Sequence, residues 1–342
     1  MREVTRHITT SVTAALVLVG LPSSAYAIGP GGTGKGGSET DSSGGGKITV
    51  ETKVQTTVNG STATAKSGTL SSADSNWTPP ACWYEPAFSP KELKKSVGNL
   101  RKFNPFGLGN MVADMYDGYY EKGKPYKDYN LDKQGEGMFW ASVVNPNRED
   151  DPEATSCDKA PFWVDEAETP DEPLAISPRI LAEYAYDELP VPGTEIAMAP
   201  AGQSTVNLPT WVWLDKAKFK KVSVTASLPG TGLSATTTAE PVSLHLEPGT
   251  GDAETSPASG DCKINADGSI GEPYAKGKAG KIPPCGVNYL RATGDSEPYA
   301  LKATLTWKIT WTSTTGEGDD LPDGTYGATQ DVTVQEIQSI NR

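Results

Sequence analysis

The sequence is poor in the side chains that most often carry catalysis. Its 342 residues contain two histidines and four cysteines. His7 precedes a predicted cleavage site, so His245 is the one histidine of the predicted mature chain. Leu244 and Leu246 alternate with it, which predicts that its ring lies on the polar side of a strand. Because no second histidine and no free thiol are expected, a histidine-rich metal centre and a cysteine–histidine dyad cannot be assembled. A serine–histidine–aspartate triad would need His245, and the sequence has no G-x-S-x-G motif.

Long apolar runs are also scarce. Val12–Leu21 is a run of ten residues, which as a helix would rise about 15 Å, half of what a bilayer requires. Arg2 and Arg6 precede this run, and a small-x-small pattern that ends at Ala27 follows it. Together these features predict a secretory signal peptide over residues 1–27 and no membrane span in the mature protein. The predicted location is extracellular.

Basic side chains are in the minority. The chain has 30 lysines and arginines against 43 aspartates and glutamates, a formal net charge of −13, and cleavage after Ala27 would remove two arginines and one glutamate to leave −14. Nucleic acids and anionic lipids are bound largely through lysine and arginine, so we expect neither as a partner. An acidic balance suits a soluble protein outside the cell.

The few cysteines all lie in the predicted mature chain, at Cys82, Cys157, Cys262 and Cys285. Export makes disulfides the expected state of these thiols. Three pairings are open, and proximity along the chain favours Cys82 with Cys157 and Cys262 with Cys285, each worth roughly 3 to 4.5 kcal/mol. A zinc site would need ligands at a spacing that the sequence does not offer, so we predict no metal and no cofactor.

Glycine and serine dominate the segment after the predicted cleavage site. Gly29–Lys35 matches most of a phosphate-binding loop, in which a strand leads through a glycine turn to a helix N-terminus and serine or threonine follows the lysine. Here Gly36 follows the lysine, and the glycine-rich residues after it do not favour a helix. ATP or GTP binding is therefore disfavoured. Residues 28–76 are predicted to form a flexible tether with a weak hairpin at Asn59–Gly60.

Residues 77–195 are predicted to form a mixed α+β domain. A capping box at Ser89 and a second cap at Ser177 predict two helices. A further helix is predicted from Leu108 to about Glu121, and residues 136–144 predict a strand. The apolar residues that fall at helical spacing in this further helix are Met111, Val112, Met115 and Tyr119.

Residues 196–342 are predicted to form an antiparallel β-sandwich. From Leu301 to Trp311, apolar residues alternate with threonine and lysine, which predicts a long strand with one buried face. At least four further strands are predicted between turns rich in glycine, proline and aspartate. The predicted class is therefore α+β, with a small mixed region followed by the sandwich.

Two groups of side chains are candidate ligand sites. Five tyrosines could form a surface on which sugars or peptides stack, or could simply pack a helix against a loop. Three aspartates in a predicted turn could hold calcium weakly, although a plain turn explains them as well. The tyrosines are Tyr116, Tyr119, Tyr120, Tyr126 and Tyr129, and the aspartates are Asp319, Asp320 and Asp323.

Carboxylates are the catalytic resource that is present in quantity. Glycoside hydrolysis uses a pair of acids, one protonated and one ionised. The acid-rich segments 149–151 and 165–172 lie in loops that contain proline, where such runs are usually solvated. They nevertheless leave a carboxylate-based hydrolase of extracellular polysaccharide as an alternative function.

Several segments resemble a group of uncharacterised secreted proteins of actinobacteria. The likeness covers most of the chain after residue 77 and rests on CWYEP at Cys82–Pro86, residues 191–215, PPCGVNY at Pro283–Tyr289 and ATLTWKITWT at Ala303–Thr312. It implies a C-terminal immunoglobulin-like sandwich of the polycystic-kidney-disease (PKD) type, and it implies no activity. The leading hypothesis is a non-enzymatic envelope or extracellular interaction protein that binds a protein or a glycan.

Overall fold

The computed structural model describes residues 52–58, 70–102, 108–190, 196–214, 221–294 and 297–337. The predicted signal peptide, the Gly29–Lys35 segment and the turn predicted at Asn59–Gly60 lie outside the described residues.

Within the described ranges the chain is mostly antiparallel β-sheet with a few helices, as the predicted α+β class requires. The helices are α1 (Pro90–Lys102), α2 (Leu108–Tyr120) and α3 (Pro178–Asp187). The strands are β1 (Gln55–Val58), β2 (Ser71–Ser72), β3 (Cys82–Phe88), β4 (Gly137–Val144), β5 (Phe162–Asp165), β6 (Ala197–Ala199), β7 (Gln203–Thr205), β8 (Thr210–Leu214), β9 (Val222–Leu228), β10 (Leu233–Glu247), β11 (Ala253–Ser256), β12 (Asp261–Lys263), β13 (Ile270–Gly271), β14 (Gly286–Tyr289), β15 (Tyr299–Ser313) and β16 (Gly318–Gln335).

The capping box predicted for α1 is present. The Ser89 amide donates to Glu92 Oε2 at 2.7 Å, and the Glu92 amide donates to Ser89 Oγ at 3.4 Å. These two bonds occupy amides that the first turn of a helix leaves unpaired. The face below the cap buries Leu93, Val97 and Leu100, which fixes the orientation of α1.

A cap also begins α3, where Ser177 Oγ accepts a hydrogen bond from the Ile180 amide at 3.2 Å. Ile180, Leu181 and Tyr184 are buried, as the helical spacing predicts. The helix ends at Asp187, before Pro190, whose ring cannot continue it.

The helix predicted around residues 108–121 is present as α2, but its buried side is not the row singled out from the sequence. Ala113, Tyr116 and Tyr120 lie in the core. Met111 and Met115 are exposed. Both rows have helical spacing, but Ala113 and Tyr116 belong to the same buried cluster as Leu93 of α1, against which α2 packs.

The first sheet has the order β3-β4-β5 and is antiparallel. β4 corresponds to the strand predicted at residues 136–144. A disulfide joins Cys82 at the start of β3 to Cys157. This bridge ties the sheet to the segment that leads into β5.

The largest sheet has the order β1-β9-β10-β15-β16-β2, with β12 also pairing β10 and β7 pairing β16. β15 follows the alternation predicted for it, because its apolar residues from Leu301 to Trp311 are all buried. The other side of β15 carries lysine and threonine and is more exposed. The sheet therefore has one continuous apolar face.

A second sheet of order β11-β14-β8-β13, with β6 on β8, covers part of that apolar face. Its Tyr289 ring stacks on Tyr299 of β15 with centroids 5.4 Å apart. The Cys262–Cys285 disulfide links β12, on the large sheet, to the residue that precedes β14. Two packed and mostly antiparallel sheets with a bridge between them give the sandwich-like architecture predicted for this part of the chain.

Helix α3 covers another part of the same apolar face. It packs on β9, β10 and β15, and Thr237 Oγ1 of β10 donates to the Ala182 carbonyl of α3 at 2.7 Å. One cluster of buried side chains includes Leu181 and Ala185 of α3 together with Leu305 of β15. One hydrophobic core therefore contains side chains from both predicted domains, 77–195 and 196–342.

Two short segments of the predicted tether are parts of the large sheet. β1 pairs with β9 at one edge, and β2 pairs with β16 at the other. Val54 and Leu70, beside these strands, are buried in the core. The tether interpretation therefore does not apply to residues 52–58 or to residues 70–76. Each of these segments contains a short strand that pairs with an edge strand of the sheet.

Candidate functional site

Most of the tyrosine cluster proposed as a ligand surface lies in the core. Tyr116, Tyr120 and Tyr129 are each about 1% exposed, so their rings are closed to a ligand. Tyr126 is partly buried, and its hydroxyl accepts a hydrogen bond from the Trp163 amide at 3.1 Å. Tyr119 alone of the five keeps an exposed face, at 43%. The packing alternative therefore describes this cluster.

Tyr120 is the centre of the cluster. Its ring stacks on Tyr126 at 5.4 Å and on Tyr129 at 5.8 Å between centroids, and meets the edge of Phe139 at 5.6 Å. Its hydroxyl donates to the Pro161 carbonyl at 2.7 Å. Burial raises the pKa of Tyr120 far above its usual value, so the phenol stays neutral and serves packing rather than acid–base chemistry.

A left-handed turn brings Tyr129 into this cluster. Asp128, Tyr129 and Asn130 have φ angles of 43°, 57° and 55°, a conformation that costs energy for residues other than glycine. The Tyr129 hydroxyl donates to Asp117, and Asp128 pairs with Lys94 at 2.6 Å. These bonds hold the turn and direct the ring inward.

The exposed side of α2 is the candidate interaction site. Met111, Met115 and Tyr119 are 63%, 50% and 43% exposed and lie four residues apart, so they form one stripe along the helix. Asp114 lies beside the stripe, 68% exposed, and pairs with Arg101 at 2.8 Å. We call Met111, Asp114, Met115 and Tyr119 the α2 outer face.

Other large apolar side chains are exposed singly in the described part of the chain. They belong to different strands and loops, where scattered exposure is normal for a folded protein. These residues are Val242, Tyr274, Ile282, Leu290 and Ile337. The α2 outer face differs because three such side chains are adjacent on one element.

The three aspartates proposed for calcium do not converge. Asp319 and Asp320 are neighbours on β16, where successive side chains point to opposite faces. Asp320 pairs with Lys308 at 3.2 Å, and Asp319 Oδ1 accepts from the Asp320 amide at 2.8 Å. The segment predicted as a turn is strand because it pairs with β15. No group of three or more metal-binding side chains is assembled among the described residues.

Two carboxylates of the acid-rich loops, Asp151 and Asp165, make local hydrogen bonds within the chain. Asp151 accepts a hydrogen bond from the Glu153 amide at 2.8 Å and pairs with Arg148. The bond from the Glu153 amide and the bond from Arg148 lower the pKa of Asp151. Asp165 accepts from the indole nitrogen of Trp163 at 2.7 Å. These carboxylates act as caps and ion-pair partners.

Sequence reasoning missed a buried carboxylate, Glu85, in the middle of β3. Glu85 is fully buried and accepts hydrogen bonds from the Lys53 amide at 2.6 Å, Thr52 Oγ1 at 3.1 Å and Trp83 Nε1 at 2.9 Å. Burial raises the pKa of Glu85, and the three hydrogen bonds oppose that rise. Its role is to anchor the segment that leads into β1. A lone glutamate between apolar strand residues was the only signal in the sequence.

Comparison with protein-family models, with curated proteins and with solved structures found no match. Across the described ranges, none of the helices combines the length and apolar character needed to cross a membrane. The function is therefore argued from the geometry of the site.

Proposed function

We propose that this protein is an exported, non-enzymatic interaction protein that binds a protein partner through the α2 outer face. The observation that carries the proposal is the exposed stripe of Met111, Met115 and Tyr119. Apolar side chains that adjoin one another on a surface favour association, because water is released when a partner covers them. Methionine adapts its shape to a partner, and tyrosine is enriched at the centres of interfaces.

The partner that fits this face presents apolar side chains and carries a basic net charge. The basic charge follows from the whole chain, because the acids at this edge are already paired, Asp114 with Arg101 at 2.8 Å and Glu121 with Lys94 at 3.9 Å. The chain as a whole carries a formal charge of −13, which would steer a basic partner towards it.

Export is supported by two independent features. The N-terminal sequence has the three-part pattern of a signal peptide. The four cysteines form two disulfides, which persist outside the reducing cytoplasm. The secreted location and the envelope or extracellular setting of the partner belong to this proposal.

We also propose that the C-terminal part is a PKD-type immunoglobulin-like sandwich of the actinobacterial family that the sequence resembles. Its support is the pair of antiparallel sheets with an inter-sheet disulfide. The polysaccharide hydrolase gains no comparable support: in the acid-rich loops Asp151 caps a turn and pairs with Arg148, Asp165 accepts from Trp163, and Glu172 pairs with Lys159.

The proposal is tested by placing a photo-crosslinking residue at position 115 and, as a control, at position 282, where Ile282 is 81% exposed but isolated. The protein should be expressed with its signal peptide in an exporting host and irradiated on the envelope. We expect one reproducible protein adduct from position 115 and none of the same identity from position 282.

Purified partner then allows the contact to be measured directly. Met111→Asp with Met115→Asp should weaken its binding at least tenfold, since two apolar contacts become buried charges. Ile282→Asp should leave binding unchanged, and all variants should keep the wild-type unfolding free energy within about 0.5 kcal/mol. Unchanged affinity of the double variant would overturn the proposal.

A further inference from the structure

The exposed methionines of the described residues all lie on the α2 outer face. The chain has five methionines, of which Met1 belongs to the predicted signal peptide. Met111 and Met115 are 63% and 50% exposed, whereas Met198 of β6 is 6% exposed and belongs to the hydrophobic core. Met138 of β4 is partly buried. Two of the three side chains of the exposed stripe are therefore thioethers that solvent can reach.

Thioethers are the side chains of this protein that an oxidant meets most readily. All four cysteines are held in disulfides, so the folded chain presents no free thiol. A thioether has no proton to lose, so its sulfur is nucleophilic at any physiological pH. Oxidation of a side chain follows its access to solvent, and Met111 and Met115 have the greatest access among the described methionines.

We propose that Met111 and Met115 form an oxidation site through which hydrogen peroxide weakens partner binding at the α2 outer face, an inference that rests on the function proposed above. The lone pair of the thioether sulfur attacks one oxygen of the peroxide, and an S–O bond forms as the O–O bond breaks. The proton of the attacked oxygen transfers to the departing oxygen, which leaves as water. The sulfur loses two electrons, the peroxide gains them, and the product is methionine sulfoxide.

This modification changes the surface of α2 without reaching its buried side. Met111 and Met115 are four residues apart, so both new oxygens lie within about 6 Å along the helix axis. The buried row of Ala113, Tyr116 and Tyr120 contains no methionine. A sulfoxide oxygen accepts hydrogen bonds and donates none, so an apolar partner surface would cover it without pairing it. The stripe that favours association thus becomes polar while the helix stays packed.

The oxidation itself is tested on the folded full-length exported protein, without any partner. The protein is treated with hydrogen peroxide and digested, and the oxygen gained by each methionine is followed by mass spectrometry. We expect Met111 and Met115 to react at close to the rate of free methionine. Met198 should react at least about tenfold more slowly, because its sulfur is reached only when the structure opens. Equal rates for Met111 and Met198 would overturn the proposal.

The change in surface character is measured on the same samples. Treated wild-type protein should elute earlier than untreated protein in hydrophobic-interaction chromatography, with an unchanged free energy of unfolding. Met111→Leu with Met115→Leu should show no such shift, because leucine keeps the face apolar and does not react with peroxide. An unshifted wild-type protein, or a leucine variant that shifts as far as wild type, would overturn the proposal.

The effect on binding is measured with the purified protein that the position-115 adduct identifies. Peroxide is removed with catalase before the two proteins are mixed. Oxidation should weaken binding to wild type about tenfold, because two apolar contacts become unpaired polar ones. Met111→Leu with Met115→Leu should bind equally before and after treatment. The matched control, Met138→Leu with Met198→Leu, should respond to peroxide as wild type does.

The outcomes separate this inference from the function on which it rests. Equal affinity of oxidised and untreated wild type would overturn the oxidation control and leave the interaction face in place. If Met111→Asp with Met115→Asp binds the same protein as wild type does, the proposed function fails and the oxidation control fails with it. A leucine variant that loses affinity on treatment as wild type does would place the sensitive group elsewhere and overturn the proposal.

Discussion

The parts of the chain before and after residue 195 build their share of the core from different side chains. Before it, aromatic rings from a helix, a loop and two strands meet around Tyr120. After it, aliphatic side chains and tryptophans follow one another at every second position of long strands, as in β15. Burial in the second part thus follows the regular backbone, whereas burial in the first part depends on the path of the chain between elements.

The disulfides differ in the same way, because each closes a loop of different length. Cys82–Cys157 spans 75 residues and Cys262–Cys285 spans 23. Loop-closure entropy predicts that removing the first bridge by a double cysteine-to-alanine change lowers the unfolding free energy by about 4.5 kcal/mol, and removing the second by about 3.4 kcal/mol. Chemical denaturation of both variants measures the two losses of unfolding free energy. A larger loss at the shorter bridge would show that native-state packing, rather than loop length, governs the difference.

The alternation of β15 is tested at two adjacent positions. Leu305→Ala empties a fully buried site and should cost about 3 kcal/mol. Thr306→Ala, on the other face, should cost less than about 1 kcal/mol. Equal costs, measured by denaturation, would contradict the assignment of one buried face.

The ring cluster is tested by removing a hydroxyl. Tyr120→Phe keeps the ring contacts but loses the bond to the Pro161 carbonyl, which should cost about 1 to 2 kcal/mol. Tyr119→Phe, at the exposed end of the cluster, should change the unfolding free energy by less than about 0.5 kcal/mol. A Tyr119 effect as large as that of Tyr120 would place the centre of the cluster elsewhere.

Glu85 predicts a pH dependence that links the two parts of the chain, because it anchors the segment leading into β1. Its pKa is raised in the folded protein, so its contribution to stability is present below the ordinary glutamate range and is lost as the pH rises through the folded value. Denaturation from about pH 4 to about pH 7 should show the wild type losing stability relative to Glu85→Gln. If the unfolding free energies of the two proteins changed with pH in parallel, Glu85 would not be the group whose titration changes the stability.

Local patterns predicted the elements of this protein well. The caps at Ser89 and Ser177 begin α1 and α3, and the alternation around Leu305 lies within β15. Caps and strand alternation depend on residues only a few positions apart, so the neighbouring sequence is enough to specify them.

The surface of α2 was predicted less well. Its Met111 row and its Tyr116 row have the same spacing, and only the position of α1 and of the loop that carries Tyr129 selects which row is buried. The aspartates near Asp320 likewise became strand residues because β15 pairs with them. In both cases the deciding partner lies outside the local pattern.

The sequence by itself determined the helix caps, the strand alternation, the acidic charge and the supply of four cysteines. The tertiary structure alone decided that the tyrosines form a core, that Met111 and Met115 are exposed, that β1 and β2 complete opposite sheet edges, and that Asp261 faces His245. The physical reason is that local backbone conformation depends mainly on adjacent residues, whereas burial and the pairing of charges depend on which distant segments the fold brings into contact.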